Sequence, residues 1–582
     1  MRYWNILGCF FGLISQLTAQ SQHTTPRINT LTQTFETQPI RESIYLHQNT
    51  AEICVGETLF FKVYCLNQQN QNLSLFSKIA YVELLDTQQK PALQTKIELR
   101  DGLGYGDFFI PSDLKTGAYR LVAYTRWMQN FSIEDFFQSN LLIINPFQSL
   151  PDSIADLSNS QISNQNFSLY PIQVALDKTV YQNREAVKLQ LSLDQNQNPD
   201  LVNLSVSVRK KQPQFHFSTA NIQNYLSTKP KNLAPPLNTH LPELRGMLLS
   251  GTLRHAQSKA PLSNRLIYLS VPSKNYYFDA TRSNAEGRFY FNISRLSTQS
   301  ELIIQTQNTN QEDIEITLDQ DFQIEYPTLA PNQTLLHKID SAWLATKAVH
   351  IQVENAYFEF KKDSVLSSGY SRFYKKPDAI YRLDDYTRFR KMEEVLREIV
   401  YTVFLRRKDD RYFVKVSKSR SDLPLDGEAF VLLDGVPVFD INAFLNYDPL
   451  KIERLEVIGS RYFKGALDCQ GIVSFETYQG DFQGISLPPE AIRRSFIGTQ
   501  PSKLYFQPLY HSPEAKASRI PDFREQLYWN PEIKLASGDS LHLEFYTSDD
   551  FGEYIIDIQG FSAEGKVVSY QATFRVGEGK ER

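Results

Sequence analysis

The sequence is poor in cysteine, has no long apolar run after its N-terminus, and has no extended block of one charge. Only four cysteines occur in 582 residues, which is too few for a fold held together by disulfides. No later stretch contains 18 consecutive apolar residues, so no transmembrane helix is expected. The formal net charge is only −4, so bulk electrostatics predict no nucleic-acid partner.

Signatures of catalysis are also scarce. The nine histidines show neither the H-E-x-x-H motif nor another paired spacing, and no G-x-S-x-G motif occurs. Cys65 and Gln68 have the spacing of an internal thioester, but Leu66 and Asn67 replace the glycine and glutamate usual between them. The sequence therefore predicts a non-enzymatic protein, with no catalytic residue, metal site, cofactor or small-molecule substrate identified.

The N-terminus predicts export. Residues 1–19 combine Arg2, a largely apolar segment and a small-residue cleavage site before Gln20, which is typical of a signal peptide. Cys9 lies inside the apolar segment, so lipidation there is the less favoured interpretation. Export would allow a disulfide between Cys54 and Cys65, and two buried reduced thiols are the equally open alternative.

The rest of the chain is dominated by strand signals. It contains 31 Tyr and 38 Phe, and short aromatic and β-branched runs alternate with turn residues. The sequence predicts a mostly β protein, with tandem β-sandwich domains and one α+β domain near the C-terminus. The predicted units are a β-sandwich at 40–147, a second β unit at 168–211, a Pro-rich linker at 212–243, a β-sandwich at 244–328, the α+β domain at 340–480 and a C-terminal sandwich-like unit at 519–577.

A helix is predicted only in the α+β domain. Residues 391–407, "KMEEVLREIVYTVFLRR", place Met392, Val395, Leu396 and Ile399 at helical spacing, with charged side chains on the other face. Strand signals return at "EAFVLLDGVPV", "IERLEVIG" and "GIVSFET".

Two of the β units resemble known domains. The runs "YLHQNTAEICVGETLFFKVYCLN" and "DGLGYGDFFIPSDLKTGAYRLVAYTRWMQN" resemble the macroglobulin-type domain of large exported proteins of Bacteroidota, and the resemblance extends to 168–211. The pair "SGTLRHAQSKAPLSNRLIYLS" and "TRSNAEGRFYF" is similar to a carboxypeptidase-regulatory-like sandwich, a fold that is non-catalytic in its family.

The α+β domain resembles the plug of TonB-dependent receptors, in which a helix precedes a "VDGVP" turn, an "IERIEV" strand and a final strand. The resemblance implies a protein-binding module, with binding candidates Asp434, Gly435, Val436, Pro437, Ile452, Glu453, Arg454, Glu456 and Gly471. A receptor barrel of about 22 strands needs well over about 400 residues. Only 105 residues follow Thr477, so the plug-like domain is expected to have no barrel of its own.

These features lead to two functional hypotheses. The favoured one is an exported adaptor associated with an outer-membrane β-barrel protein or complex, on the periplasmic or cell-surface side, acting by protein–protein recognition and not as a transporter. The alternative is a macroglobulin-like protease inhibitor or trap, with the Pro-rich segment 212–242 as its bait. Capture of an added protease would distinguish them.

Overall fold

In the computed structural model, β-strands are the main secondary structure of the described residues, which confirms the mostly β fold class. Residues 1–19, the predicted signal peptide, and most of the Pro-rich linker at 212–243 lie outside the described part. The described residues are 40–149, 154–156, 172–193, 201–212, 222, 225, 239–294, 296, 299–308, 312–327, 332–334, 340–366, 372–374, 376–420, 422–562 and 564–577.

Residues 42–144 form the first sandwich. Its strands are β1 (Glu42–Gln48), β2 (Glu52–Cys54), β3 (Thr58–Asn67), β4 (Ile79–Leu85), β5 (Pro91–Glu98), β6 (Leu103–Phe109), β7 (Gly117–Tyr124) and β8 (Phe137–Ile144). One sheet has the order β1-β3-β6 and the other β2-β8-β7-β4-β5. Alternation along β3 places Leu59, Phe61 and Val63 in the core. Phe60, Lys62 and Tyr64 therefore lie on the outer face of the sheet.

Two groups of strands follow. The first contains β9 (Ile154–Asp156), β10 (Ile172–Leu176), β11 (Val180–Tyr181), β12 (Ala186–Leu193) and β13 (Val202–Lys210). The second contains β14 (Met247–His255), β15 (Leu266–Val271), β16 (Tyr277–Arg282), β17 (Arg288–Ile293), β18 (Gln299–Thr306), β19 (Ile314–Leu318) and β20 (Asn332–Thr334). The sheets β17-β14-β19 and β16-β15-β18 face each other as the third sandwich, and β20 pairs with β9.

The next segment begins with helix α1 (Ser341–Ala356) and contains the α+β domain. Its other elements are β21 (Ser364–Val365), β22 (Ala379–Arg382), α2 (Met392–Glu394), β23 (Val403–Lys408), β24 (Arg411–Val416), β25 (Phe430–Leu433), β26 (Val436–Pro437), α3 (Ile441–Phe444), β27 (Ile452–Ile458), β28 (Tyr462–Lys464), β29 (Leu467–Cys469) and β30 (Ile472–Thr477). The main sheet has the order β22-β27-β30-β25-β26, with β25 and β30 parallel.

The helix predicted over 391–407 is shorter than expected. Helix α2 continues as a π-helical turn, Val395–Ile399, and ends there. Residues 403–408 instead form β23, which pairs with β24 as a hairpin. The β-branched and aromatic residues after Ile399 favour a strand, and hairpin pairing outweighs the local helical pattern.

The C-terminal segment completes the second sandwich. It contains β31 (Ile492–Ile497), β32 (Lys503–Leu504), α4 (Pro513–Lys516), β33 (Gln526–Leu535), β34 (Ser540–Tyr546), β35 (Gly552–Ser562) and β36 (Val567–Val576). Strand β13 lies between β33 and β35, and β34 pairs with β12. Residues 168–211 and 519–577, predicted as separate units, thus contribute to one discontinuous sandwich, because strand pairing between distant segments leaves no local sequence signal. Strand β31 likewise joins the third sandwich through β18.

Short 3₁₀ turns and helix α1 complete the architecture. The 3₁₀ turns are Arg126–Asn130, Ile133–Asp135, Phe358–Phe360, Leu383–Asp385 and Pro449–Lys451. Asp340 caps α1 by accepting a hydrogen bond from the Ala342 amide at 2.9 Å. Ile351 of α1 packs on the first sandwich beside Cys54 and Leu142. Within the described residues, no helix is long and apolar enough to cross a membrane.

The second sandwich is built from segments far apart in the chain. A destabilising substitution near the C-terminus should therefore also weaken strands that lie much earlier in the sequence. Ile558 of β35 is fully buried, so we expect Ile558→Ala to lower the free energy of unfolding by about 2–5 kcal/mol. Hydrogen exchange followed by mass spectrometry should show faster exchange in β13 as well as in β35. The exposed Ile380→Ala is the control. Unchanged protection of β13 in the destabilised variant would contradict the shared sandwich.

A buried carboxyl between the first and third sandwiches predicts a pH dependence of stability. Glu243 Oε1 accepts hydrogen bonds from the Leu248 amide (2.8 Å) and the Tyr81 hydroxyl (3.0 Å), and burial raises its pKa to about 7. The folded state therefore binds this proton more tightly than the unfolded state, so its contribution to stability is lost as pH rises from about 4.5 to about 7. Urea midpoints across this range should fall less steeply in Glu243→Gln than in wild type or in the exposed-site control Glu286→Gln. Equal slopes would show that Glu243 does not titrate in this window.

Candidate functional site

A groove lies between the third sandwich and the α+β domain. Its volume is about 990 Å³, and its walls come from three parts of the chain. Gln305, Asn308 and residues 312–314 supply one side, residues 437–443 supply the other, and Phe482 with residues 484–490 closes it. The groove therefore depends on the packing of two domains against each other, a common location for binding sites. We refer to it as the seam groove.

An aromatic cluster fixes the packing of these two domains. Tyr268 of β15 lies 5.4 Å from Phe430 and 5.5 Å from Phe439, measured between ring centroids. Phe278 of β16 lies 5.6 Å from Phe430 and 4.9 Å from Phe373. Because the rings come from both domains and interdigitate, the wall of the seam groove is held by a continuous apolar contact.

Backbone contacts bring the predicted D-G-V-P motif into the same interface. The Ser270 hydroxyl donates to the Gly435 carbonyl at 2.8 Å, and the Gln305 amide donates to the Pro437 carbonyl at 2.9 Å. Gly435 has φ +84°, and a Cβ there would lie 2.3 Å from the Tyr276 ring. Only glycine fits this close approach. Val436 is buried in the core of the α+β domain.

Asp434 organises the loop that leads to the far wall of the groove. Its carboxylate accepts hydrogen bonds from the Thr477 amide (2.8 Å), the Thr477 hydroxyl (2.7 Å) and the Phe482 amide (3.0 Å). Burial raises the pKa of Asp434, while these hydrogen bonds act in the opposite direction. The aspartate thus anchors the chain at Phe482, where it enters the 482–490 segment.

The I-E-R-L-E-V strand supplies an ion network and core contacts. Arg454 Nε lies 2.7 Å from Glu476 Oε2, and Arg372 bridges Glu456 and Glu476. Burial raises the pKa of Glu476 to about 7, although Arg372 and Arg454 oppose the shift. Ile452 is fully buried, and Glu453 lies 4.0 Å from the Lys274 ammonium.

The nine predicted binding candidates lie in or beside the main sheet of the α+β domain, spread along its strands, and they mainly contact other parts of the chain. Gly471 has φ +87°, and a Cβ there would lie 2.2 Å from Val416 Cγ2. Of the nine, Pro437 lines the seam groove. The resemblance to a plug therefore predicted one residue of this groove, Pro437. The wall formed by the 482–490 segment was not predicted from the sequence. The Pro488-Pro489 pair is the local feature that could have indicated it.

The groove combines apolar walls with carboxylates that have no ion pair. Glu312 is paired with Arg265 and Arg411 with Glu428. Asp313, Asp440 and Glu490 also line the groove, and none of them forms an ion pair with a described residue. The apolar lining includes Pro437, Val438, Phe439, Ile485, Leu487, Pro488 and Pro489. This surface suits an extended apolar segment that carries basic side chains.

A second polar centre joins the first sandwich, the second sandwich and α1. Lys347 Nζ lies 2.8 Å from Glu57 and 2.7 Å from Glu525, and Arg209 Nη2 lies 3.4 Å and 3.6 Å from the same two carboxylates. All four side chains are largely shielded from solvent. Burial alone would raise the pKa of Glu57, but Lys347 and Arg209 lower it to about 2. We call this set the four-charge cluster.

A serine, a histidine and an aspartate also meet between these sandwiches. Ser205 Oγ lies 2.6 Å from His47 Nδ1, and His47 Nε2 lies 3.4 Å from Asp557 Oδ2. The order resembles that of a hydrolase triad, but Ser205 is 0% exposed and also contacts the Tyr64 hydroxyl at 3.0 Å. A substrate carbonyl cannot reach a buried oxygen surrounded in this way. The arrangement instead connects the two facing sheets.

The described cysteines are all reduced. Cys54, Cys65 and Cys469 are buried and unbridged. Cys54 lies in β2 and Cys65 in β3, which belong to the two opposite sheets of the first sandwich. The Cys54–Cys65 disulfide that the sequence left open is therefore not formed. Among the described residues, no cluster of histidine, cysteine and carboxylate side chains is suited to a metal ion.

Comparisons with known proteins identify no family. No protein-family model and no curated protein match the chain. Matching solved structures include the alpha-2-macroglobulins of Salmonella (9% identity, TM-score 0.24, 92% of this chain and 39% of that chain) and Escherichia coli (8%, 0.24, 92% and 44%). The Yersinia pseudotuberculosis adhesin InvE matches at 12% identity and TM-score 0.12, over 47% of this chain and 57% of that one. The chain spans less than half the length of these macroglobulins, and likenesses at these TM-scores carry no functional argument.

The four-charge cluster predicts a large loss of stability when its central cation is removed. In Lys347→Met, Arg209 would be the single cation left in the cluster for Glu57 and Glu525. We expect the free energy of unfolding to fall by about 3–5 kcal/mol. Urea unfolding would measure the change, with the exposed Lys362→Met as control. A Lys347→Met protein as stable as the control variant would contradict this role.

Proposed function

We propose that the protein is a non-enzymatic adaptor that binds an extended, basic segment of a partner protein in the seam groove. The observation that carries this proposal is the combination of apolar walls with Asp313, Asp440 and Glu490, carboxylates without an ion pair among the described residues. An extended segment would lay apolar side chains against Leu487 and Phe439, and its lysines or arginines would pair with the carboxylates. Binding would need no chemical step.

The rigidity of the walls supports recognition rather than turnover. The interdomain aromatic contacts hold one wall, and the hydrogen bonds of Asp434 hold the entry to the other. A pre-organised groove loses less conformational entropy on binding than a flexible one, so a modest contact area can give useful affinity. Recognition by a fixed groove is the behaviour expected of an adaptor.

The proposed partner is an outer-membrane β-barrel protein or complex, and the proposed location is the periplasmic or cell-surface side of that membrane. Both follow from the predicted signal peptide at 1–19 and the plug-like sequence of 340–480. A plug-like domain whose motif is occupied by contacts within its own chain would have to recognise its partner through another surface. The seam groove lies beside that motif.

A site-specific crosslinking experiment tests the adaptor function. A photo-reactive amino acid at Ser486, an exposed residue that lines the groove, should crosslink in native cells to an outer-membrane β-barrel protein. The same amino acid at Asn292, which is exposed on β17 of the third sandwich, is the control. Crosslinks at Asn292 but not at Ser486 would show that any partner binds outside the seam groove. Capture of an added protease would favour the alternative function, a protease trap.

The charge of the groove gives a quantitative prediction. Combining Asp313→Asn, Asp440→Asn and Glu490→Gln should weaken binding of the crosslinked partner roughly tenfold, because three exposed ion pairs would be lost. Asparagine at position 440 keeps the N-cap of α3. A matched triple of Asp113→Asn, Glu286→Gln and Asp385→Asn, all exposed outside the groove, controls for net charge. Equal affinities of the two triples would exclude the acidic groove as the recognition site.

A further inference from the structure

Lys62 is a buried lysine on a face of the first sandwich that is covered by the second. It lies in β3 between His47 of β1 and Tyr105 of β6. On the same face, Tyr64 donates to the Gln559 carbonyl of β35 at 3.1 Å, and Phe60 stacks on Trp529 of β33. Lys62 is only 3% exposed as a result.

Lys62 differs from the other buried lysines in having no carboxylate partner. Lys96 Nζ lies 2.7 Å from Asp321, and Lys347 contacts Glu57 and Glu525. The Lys62 ammonium forms neither a hydrogen bond nor an ion pair with any described residue. Its Nζ instead lies 5.9 Å and 5.8 Å from the ring centroids of Tyr64 and Tyr105. An ammonium group removed from water without an anion is destabilised, so the position favours an incoming negative charge.

A cleft of about 400 Å³ opens onto Lys62 between the two sandwiches. Leu73 and Leu103 line it from the first sandwich, and Leu201, Pro531 and Ile533 line it from the second. The volume is that of a small-molecule site. Lys62 is the buried cation of its lining, which also includes the cations Arg100 and Lys534 and the carboxylates Glu98, Asp101 and Glu532. We call this cavity the Lys62 cleft.

The charged groups around Lys62 leave its ammonium without direct compensation. Glu98 is engaged by Arg100 at 2.9 Å. Asp101 also lines the cleft. Burial lowers the pKa of Lys62 to about 8, Glu532 opposes this shift, and Lys534 adds to it. His47, the residue of β1 that pairs with Lys62, contacts Ser205 and Asp557.

We propose that the Lys62 cleft binds a small organic carboxylate, with the carboxylate on Lys62 Nζ and an apolar body between the leucines of the two sandwiches. The site is independent of the seam groove and of the adaptor function. A bound carboxylate would pair with Lys62 as Asp321 pairs with Lys96. Because only the protonated amine attracts an anion, binding is strong at neutral pH and weakens as pH rises through about 8.

Benzoate is a suitable probe, and benzamide is its uncharged counterpart of the same shape. Ligand-observed NMR on the full chain should show saturable binding of benzoate and none of benzamide. Affinity for benzoate should fall roughly 30-fold between about pH 7 and about pH 9.5, whereas an ordinary exposed lysine would stay protonated in this range. Lys62→Met, which keeps the apolar stem, should lose binding at least about tenfold, and the exposed Lys188→Met should retain it.

A second measurement keeps the test decisive if Lys62→Met does not fold. Acetic anhydride labelling of wild-type protein, analysed by mass spectrometry, should modify Lys62 more slowly when benzoate is present and leave the labelling of Lys188 unchanged. No benzoate binding to wild type, equal binding of benzoate and benzamide, an affinity independent of pH, or unaltered labelling of Lys62 would each overturn the proposal.

Discussion

The pairing of β13 with both β33 and β35 is the constraint on which the rest of the architecture depends. Strand β13 ends at Lys210, and its two neighbours begin more than 300 residues later. The chain must therefore return to this position before the second sandwich can bury its core. Everything between becomes an insertion whose two ends meet at one sheet, so the third sandwich and the α+β domain are held at both ends. Contacts of such high sequence separation cost loop entropy, which the buried strands must offset.

Two kinds of contact convert this topology into a rigid assembly. At the base of the insertion, the four-charge cluster joins α1 to both of the first two sandwiches, with every charge facing an opposite one. Farther out, the aromatic rings of the third sandwich and the α+β domain interlock, and β31 is added to the third sandwich as an extra strand. The seam groove and the Lys62 cleft both lie between domains. Each exists because folded units are held against one another, and each takes its chemistry from residues distant in the chain.

Local patterns predicted the elements better than their assembly. Strand periodicity identified the mostly β class and the strands around "LLDGVPV" and "GIVSFET". The helix over 391–407 was predicted too long, because β23 gains a hairpin partner that helical spacing cannot reveal. The residues of the plug-like motif lie in strands and turns of the α+β domain, where Asp434 and Gly435 make internal contacts. Asp313, Asp440 and Glu490 were missed, since a carboxylate in an exposed turn has no local sign that it faces a groove wall from another domain.

The amino-acid sequence alone established the strand-rich character and the short alternating strands. These properties follow from side-chain size and backbone sterics acting over a few residues. It could not establish that 168–211 and 519–577 share a sandwich, that Cys54 and Cys65 lie in opposite sheets, or that Lys62 opens into a cleft. Those properties arise from pairings between segments far apart in the chain, and burial then determines which charges find partners and which face a cavity.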